Sequence, residues 1–77
     1  MKVEIHFRSN AGSVKIENFY WLHEIVNGEK TEYRKDRVVN FFINPNANYI
    51  FRSERDVVSF AGADVLYVAF DNEFTND

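Results

Sequence analysis

Few side chains in this sequence could carry out acid–base chemistry or bind a metal ion. Histidine is the side chain that normally titrates near neutral pH, and the chain has two, His6 and His23. There is no cysteine, the acidic residues are scattered, and neither histidine belongs to an H-x-x-x-H motif. We therefore expect no metal site and no cofactor.

The serines do not form a catalytic motif either. None of the four, Ser9, Ser13, Ser53 and Ser59, lies in a nucleophile-elbow sequence. Phosphate chemistry would need a glycine-rich loop leading into a helix, and the sequence contains none. The sequence therefore predicts a protein that is not an enzyme.

His23 belongs to the stretch with the strongest structural signal, a predicted β-hairpin. Residues 19–26 and 29–34 are rich in aromatic and β-branched side chains, and Asn27-Gly28 separates them. Both turn residues tolerate a positive φ, which suits a two-residue type I′ turn. An alternative is a short helix over residues 19–26, ending at the glycine.

The turn also predicts which residues of the hairpin face each other. A two-residue loop pairs Trp21 with Arg34 and His23 with Glu32. Tyr20, Leu22, Val26 and Tyr33 then share the face predicted to cover the core. The opposite face mixes aromatic, apolar and charged groups, and we predict an interaction surface there, formed by Phe19, Trp21, His23, Ile25, Glu32 and Arg34. The alternative is that a loop or the tail covers these rings within the monomer.

A second candidate site lies later in the chain, where aromatic and basic residues occur together. Tyr49, Phe51, Arg52 and Arg55 could form a small platform on which single-stranded nucleic acid stacks. The competing interpretation is a core strand that ends in a charged turn. The formal net charge of −3 predicts against nucleic-acid binding, which needs a cationic surface.

The remaining pattern consists of short strands separated by turns. Alternating apolar and polar residues in 2–8 and 13–17 predict a first hairpin. Residues 38–43, VVNFFI, predict a largely buried central strand, and residues 49–52, 57–60 and 65–70 predict further strands. Turns are predicted at Asn44-Pro45-Asn46-Ala47 and at Ser53-Glu54-Arg55-Asp56.

These elements predict an all-β fold. We expect a meander of six or seven short antiparallel strands, strongly twisted or rolled into a partly open barrel. The alternative is an α+β domain with one short helix, at 19–26 or at 54–61. Residues 1–70 form a single domain in this prediction, and residues 71–77 form a flexible acidic tail.

Composition also bears on the compartment. The absence of cysteine fits a reducing environment, and the start of the chain alternates instead of forming the apolar core of a signal peptide. The longest apolar run, Val65 to Phe70, is far shorter than the roughly 20 residues that cross a bilayer. We expect a soluble, cytoplasmic protein that does not bind a membrane.

Two segments resemble a group of known proteins. The opening MKVEIHFRSNAGSVKIENF and the later YIFRSERDVVSF are similar to small uncharacterised proteins of phages and prophages of Gram-positive bacteria. The resemblance implies an accessory protein that acts inside a bacterial cell, and it supplies no catalytic residues.

Taken together, the sequence predicts a small, non-enzymatic binding module. We expect it to act through contacts with a partner protein or through self-association as a homo-oligomer. The alternative is an OB-like or Sm-like barrel that binds single-stranded nucleic acid through the second candidate site.

Overall fold

The computed structural model describes residues 1–9 and 12–71, which form strands, turns and two short 3-10 helices. The seven strands are β1 (Lys2–Phe7), β2 (Ser13–Ile16), β3 (Phe19–Val26), β4 (Glu29–Arg34), β5 (Asn48–Ser53), β6 (Val57–Ala61) and β7 (Val65–Asp71). The 3-10 helices span Val38–Asn40 and Gly62–Asp64. The predicted all-β class is confirmed, and a helix at 19–26 or 54–61 is wrong because both stretches contain strands.

The strands form two antiparallel sheets that do not close into a barrel. One sheet has the order β2-β1-β7 and the other the order β4-β3-β5-β6. Their inner faces share one hydrophobic core, whose buried members are Val3, Ile5, Ile16, Phe19, Leu22, Val38, Phe41, Ala47, Tyr49, Phe51 and Val65. Backbone hydrogen bonds also join the sheets at their corners, for example from the Phe19 N–H to the Met1 carbonyl at 3.1 Å.

The predicted hairpin is confirmed together with its register. Trp21 pairs with Arg34 and His23 with Glu32, and the pairing continues to the turn. Asn27 and Gly28 have φ values of 52° and 81°, as a type I′ turn requires. The two turn residues were therefore sufficient to predict how β3 pairs with β4.

Phe19 is the exception on the predicted surface of the hairpin. It is fully buried in the core, so its placement beside Trp21 on the outer face is wrong. The cause is a β-bulge: Phe19 pairs with Ser53 and Trp21 with Arg52, which leaves Tyr20 as an extra residue in β3. The extra residue reverses the alternation, so Phe19 points inward and Tyr20 becomes exposed.

The segment 38–43 is not the central strand that its composition predicted. It begins with the 3-10 helix and continues as chain that belongs to neither sheet. Val38 and Phe41 are buried, whereas Val39 and Phe42 are 84% and 82% exposed. Burial at a spacing of three fits a 3-10 turn, whereas a strand would bury alternate residues.

Phe41 accounts for the position of this segment. Its ring packs edge-on against the rings of Tyr33, Tyr49 and Phe70, with centroids 5.3 to 5.9 Å apart. Tyr33 and Tyr49 belong to the four-stranded sheet and Phe70 to the three-stranded sheet. The segment therefore covers the side of the core that the two sheets leave open.

The later turns and strands agree with the predictions. The Ala47 N–H bonds to the Asn44 carbonyl at 3.0 Å, and the Asn46 N–H bonds to Asn44 Oδ1 at 2.9 Å, which confirms that turn. In the next turn the Asp56 N–H bonds to Ser53 Oγ at 2.9 Å. The last strand extends to Asp71, and residues 72–77 of the predicted tail lie outside the described residues. In the part that is described, no helix has the length and apolar character to span a membrane.

Candidate binding surface

The strand order extends the predicted hairpin surface across the whole four-stranded sheet. Because β5 lies beside β3, Arg52 pairs with Trp21 on the side opposite Arg34. Residues that pair directly share a face of the sheet. The outer face thus consists of three cross-strand rows: Arg34, Trp21, Arg52 and Val57; Glu32, His23, Ile50 and Ser59; and Lys30, Ile25, Asn48 and Ala61.

Trp21 and His23 form the centre of this outer face. Their rings are stacked, with centroids 3.9 Å apart and an interplanar angle of 19°. His23 Nε2 lies 2.9 Å from Glu32 Oε1, and Arg34 Nε donates a hydrogen bond to Glu32 Oε2 at 2.8 Å. The predicted His23–Glu32 pair is therefore present, and Glu32 also holds the guanidinium of Arg34.

The position of Glu32 has a consequence for its charge. The hydrogen bond from His23, with a further contribution from the Arg34 charge, lowers the pKa of the Glu32 carboxyl below its usual value of 4.5. The carboxylate is therefore ionised at neutral pH and orients both the imidazole and the guanidinium. The chain Trp21–His23–Glu32–Arg34 is a connected set of contacts across two strands.

The charge of the outer face differs in sign from that of the whole chain. Lys30, Arg34 and Arg52 contribute three cations, and Glu32 is the one carboxylate in the three rows. The whole chain has a formal net charge of −3. Partly exposed isoleucines at 25 and 50 and an exposed valine at 57 accompany these cations. The outer face is thus a cationic and apolar patch on an acidic protein.

The predicted nucleic-acid platform does not form as a unit. Tyr49 and Phe51 are fully buried, so neither ring can stack on a base, and that part of the prediction is wrong. Alternation along β5 places Arg52 on the opposite face, beside Trp21. Arg55 lies in the exposed turn between β5 and β6. The competing interpretation, a core strand that ends in a charged turn, is the one that the structure supports.

Tyr49 has a structural role that also accounts for an acidic residue on the core face of β3. Its hydroxyl donates a hydrogen bond to Glu24 Oε2 and accepts one from the Asn44 N–H, both at 2.6 Å. Burial, reinforced by the hydrogen bond to Glu24, raises the pKa of the Tyr49 hydroxyl above its usual value of 10.0. Glu24 is thus satisfied by the tyrosine at the border of the core.

The second histidine lies on the outer face of the other sheet. The His6 ring is stacked on Tyr67 with centroids 4.2 Å apart, and its Nε2 contacts Glu4 Oε1. Lys15 Nζ lies 3.8 Å from the other oxygen of that carboxylate. Within residues 1–9 and 12–71, no group of three or more histidine, aspartate or glutamate residues is placed to hold a metal ion.

Comparison with known proteins adds no further evidence on function. No protein-family model, curated protein or solved structure matches the chain. The resemblance to phage and prophage proteins stays a prediction.

Sequence reasoning assigned to the outer face only residues of β3 and β4. It missed the members on β5 and β6, among them Ile50, Arg52 and Val57. The alternation in β5 does place Ile50 and Arg52 on one face and the buried Tyr49 and Phe51 on the other. What the sequence lacked was a signal that β5 lies beside β3, because their pairing joins residues 23 to 34 positions apart.

Proposed function

We propose that this chain is a non-enzymatic binding module that holds an acidic region of a partner protein on the outer face of its four-stranded sheet. The observation that carries the proposal is the first cross-strand row, in which Trp21 lies between Arg34 and Arg52. A tryptophan flanked by two arginines on a cationic patch can bind apolar and anionic groups together.

The rigidity of this patch favours binding. Tryptophan and arginine are the residues most often responsible for binding energy at protein interfaces. The stacking of Trp21 on His23, and the hydrogen bonds that Glu32 accepts from His23 and Arg34, fix these side chains before a partner arrives. Less conformational entropy is then lost on association.

The charge of the outer face determines the kind of partner. Its three cations attract an acidic surface and repel a basic one, which raises the association rate with the former. The outer face suits single-stranded nucleic acid less well, because Tyr49 and Phe51 are buried and the two rings in the three rows, Trp21 and His23, stack on each other. A role as a phage or prophage accessory protein would be compatible with such a module and rests on the sequence resemblance.

The proposal is tested with variants of the first row. Crosslinking in cells identifies candidate partners, and each purified candidate is titrated against the wild type, Trp21→Ala and the double variant Arg34→Glu with Arg52→Glu. We expect Trp21→Ala to raise Kd by about 30-fold, the effect of a strong interface residue. The double variant should bind more weakly still, and the loss should be larger at low salt.

The control is Tyr67→Ala, which removes an exposed aromatic ring that stacks on the other histidine. It should bind like the wild type, and circular dichroism should show all variants folded. A partner that binds the Trp21 and arginine variants with unchanged Kd contradicts the proposal. So does binding of a single-stranded oligonucleotide at low salt that is lost in Trp21→Ala, since the face would then be a nucleic-acid site.

A further inference from the structure

The strand β4 is an edge of the four-stranded sheet and carries charges of both signs. In the described residues it pairs with β3 alone, and all of its residues except Tyr33 are exposed. Charged residues commonly protect an edge strand from pairing with another chain. Whether they prevent pairing or direct it depends on how the charges are arranged along the strand.

The backbone groups of β4 that remain unpaired belong to alternate residues. A β-turn joins the carbonyl of its first residue to the N–H of its fourth, so the Glu29 N–H faces Val26 of β3 across the Asn27-Gly28 turn. Hydrogen-bonded and non-hydrogen-bonded pairs then alternate along the two strands. The N–H and C=O groups of Lys30 and Glu32 therefore point away from β3, toward the free edge.

The side chains of these two residues lie on the outer face, together with that of Arg34. The charge along this edge thus alternates as positive, negative and positive. Glu32 already accepts hydrogen bonds from His23 and Arg34 of its own chain. Lys30, in contrast, is exposed and has no ion-pair partner among the described residues. The edge therefore presents one free cation two residues from a carboxylate.

This arrangement is self-complementary in one antiparallel register. A second copy of β4 can pair with the edge only when residues whose backbone groups point outward face each other. In the register centred on Thr31, Lys30 faces Glu32 of the second copy and Glu32 faces its Lys30. Centring the pairing on Glu32 would place the two carboxylates opposite each other and Lys30 opposite Arg34, which is unfavourable. Centring it on Tyr33 would need residues beyond the end of β4.

We propose that this chain forms a homodimer in which β4 pairs with β4 of a second copy in the register centred on Thr31. The two-fold axis passes between the two Thr31 residues, as an isologous interface requires. The dimer contains two identical cross-strand ion pairs between Lys30 and Glu32. Its eight strands form one continuous sheet, and the two outer faces form one surface. The inference rests on the edge of β4 and does not depend on the function proposed for the outer face.

The charges of β4 favour a second copy over an unrelated strand. Any extended segment can bond to the free N–H and C=O groups, but only one with an acidic residue opposite Lys30 and a basic residue opposite Glu32 avoids repulsion. The strand β4 carries that pair at the required spacing. On the inner side Thr31 faces Thr31 and Glu29 faces Tyr33, so no like charges meet there. The strand β6 and residues 65–70 of β7 carry no charge and select neither a partner nor a register.

The proposed contact is small, which determines the expected affinity. Stable interfaces bury at least about 1,000 Å², and a single pair of short strands buries less. We therefore expect a weak dimer with a Kd of about 100 μM. Sedimentation equilibrium of the full chain at concentrations up to about 1 mM covers this range, and the average mass should rise toward that of a dimer.

Reversal of the Lys30 charge tests the ion pairs. Lys30→Glu places like charges opposite each other in both pairs at once, because each copy contributes one such residue. The Kd should rise by at least about tenfold, and the effect should be smaller at high salt. Lys30 has no ion-pair partner within its own described chain, so this change should leave the fold intact, which circular dichroism checks.

A mixture of two variants tests the register itself. Lys30→Glu carries two acidic residues at these positions and Glu32→Lys carries two basic ones, so each variant should associate weakly alone. When they are mixed, opposite charges face each other in both pairs. Anisotropy of labelled Lys30→Glu titrated with Glu32→Lys should therefore show a heterodimer that is tighter than either homodimer.

The matched control is Lys15→Glu, which makes the same change of charge at an exposed lysine of β2, an edge strand of the other sheet. It should dimerise like the wild type. The inference is overturned if the wild type remains monomeric throughout the concentration series or if Lys15→Glu weakens the dimer as much as Lys30→Glu. It is also overturned if Lys30→Glu and Glu32→Lys do not associate when mixed.

Discussion

At the scale of single residues, Tyr49 shows how a polar group is accommodated at the border of the core. The residue is fully buried, yet its hydroxyl has a donor and an acceptor partner in Asn44 and Glu24. In the described residues, no buried side-chain nitrogen or oxygen lacks a hydrogen-bond partner. The tyrosine thus joins β5, β3 and the turn after the segment 38–43.

Removal of this hydroxyl should be costly. In Tyr49→Phe the Asn44 N–H and the Glu24 carboxylate lose a partner, and we expect the free energy of unfolding at pH 7 to fall by about 1–3 kcal/mol. Urea unfolding measures the change. The control is Tyr20→Phe, which alters an exposed ring and should unfold like the wild type; an equal loss in both variants would contradict the role of Tyr49.

The wild type and Tyr49→Phe also give a prediction for alkaline pH. The pKa of Tyr49 is higher in the folded state than its usual value of 10.0, so its contribution to stability is complete below about pH 10 and is lost as pH rises through the higher value. The stability difference between the wild type and Tyr49→Phe should therefore shrink above pH 10. If the stability difference instead grew with pH, the pKa of Tyr49 would be lowered on folding, which would contradict this prediction.

At the scale of elements, the 3-10 turn between β6 and β7 depends on a glycine for space. A Cβ at Gly62 would lie 2.1 Å from the Asn44 carbonyl oxygen, and the Gly62 N–H bonds to the Ala47 carbonyl at 2.8 Å. The turn that connects the two sheets is therefore held against the backbone of residues 44–47. Gly28 differs, because a Cβ there meets nothing within 4 Å and its φ is 81°.

These two glycines should respond differently to alanine. Gly28→Ala should cost about 1–2 kcal/mol, the strain of a left-handed non-glycine residue. Gly62→Ala should cost at least about 3 kcal/mol, because two backbone segments must separate. Urea unfolding of both variants compares the losses, and a smaller loss for Gly62→Ala than for Gly28→Ala would refute the close approach.

At the scale of the whole molecule, the core depends on aromatic rings from both sheets and from the segment 38–43. Phe51 lies at its centre, with ring contacts to Phe19, Phe41, Tyr49, Phe60 and Phe70. A domain of 77 residues has a total stability of roughly 4–12 kcal/mol. The packing of one such ring therefore contributes a large share of the total stability.

Phe51→Ala should remove a large share of this stability. We expect a loss of about 3–5 kcal/mol, so the urea midpoint should fall well below that of the wild type and near-ultraviolet circular dichroism should weaken. Phe42→Ala is the control, since that ring is exposed and lies outside the core. A cooperative transition for Phe51→Ala at the wild-type midpoint would contradict this account of the core.

The sequence alone determined the features that depend on nearby residues. Asn27-Gly28 specified a turn and, through it, the register that places His23 beside Glu32. Alternation of apolar and polar residues specified the first two strands, which pair as a hairpin. These signals are local, because turn geometry and side-chain direction follow from a few consecutive dihedral angles.

The tertiary structure alone decided which elements far apart in the chain lie side by side. The pairing of β3 with β5 brought Arg52 to Trp21 and completed the outer face, and the bulge in that pairing turned Phe19 into the core. The rings of Tyr33, Tyr49 and Phe70 held Phe41 in place and kept residues 38–43 out of both sheets. Such contacts join residues far apart in the chain, and their energies depend on packing that no local pattern encodes.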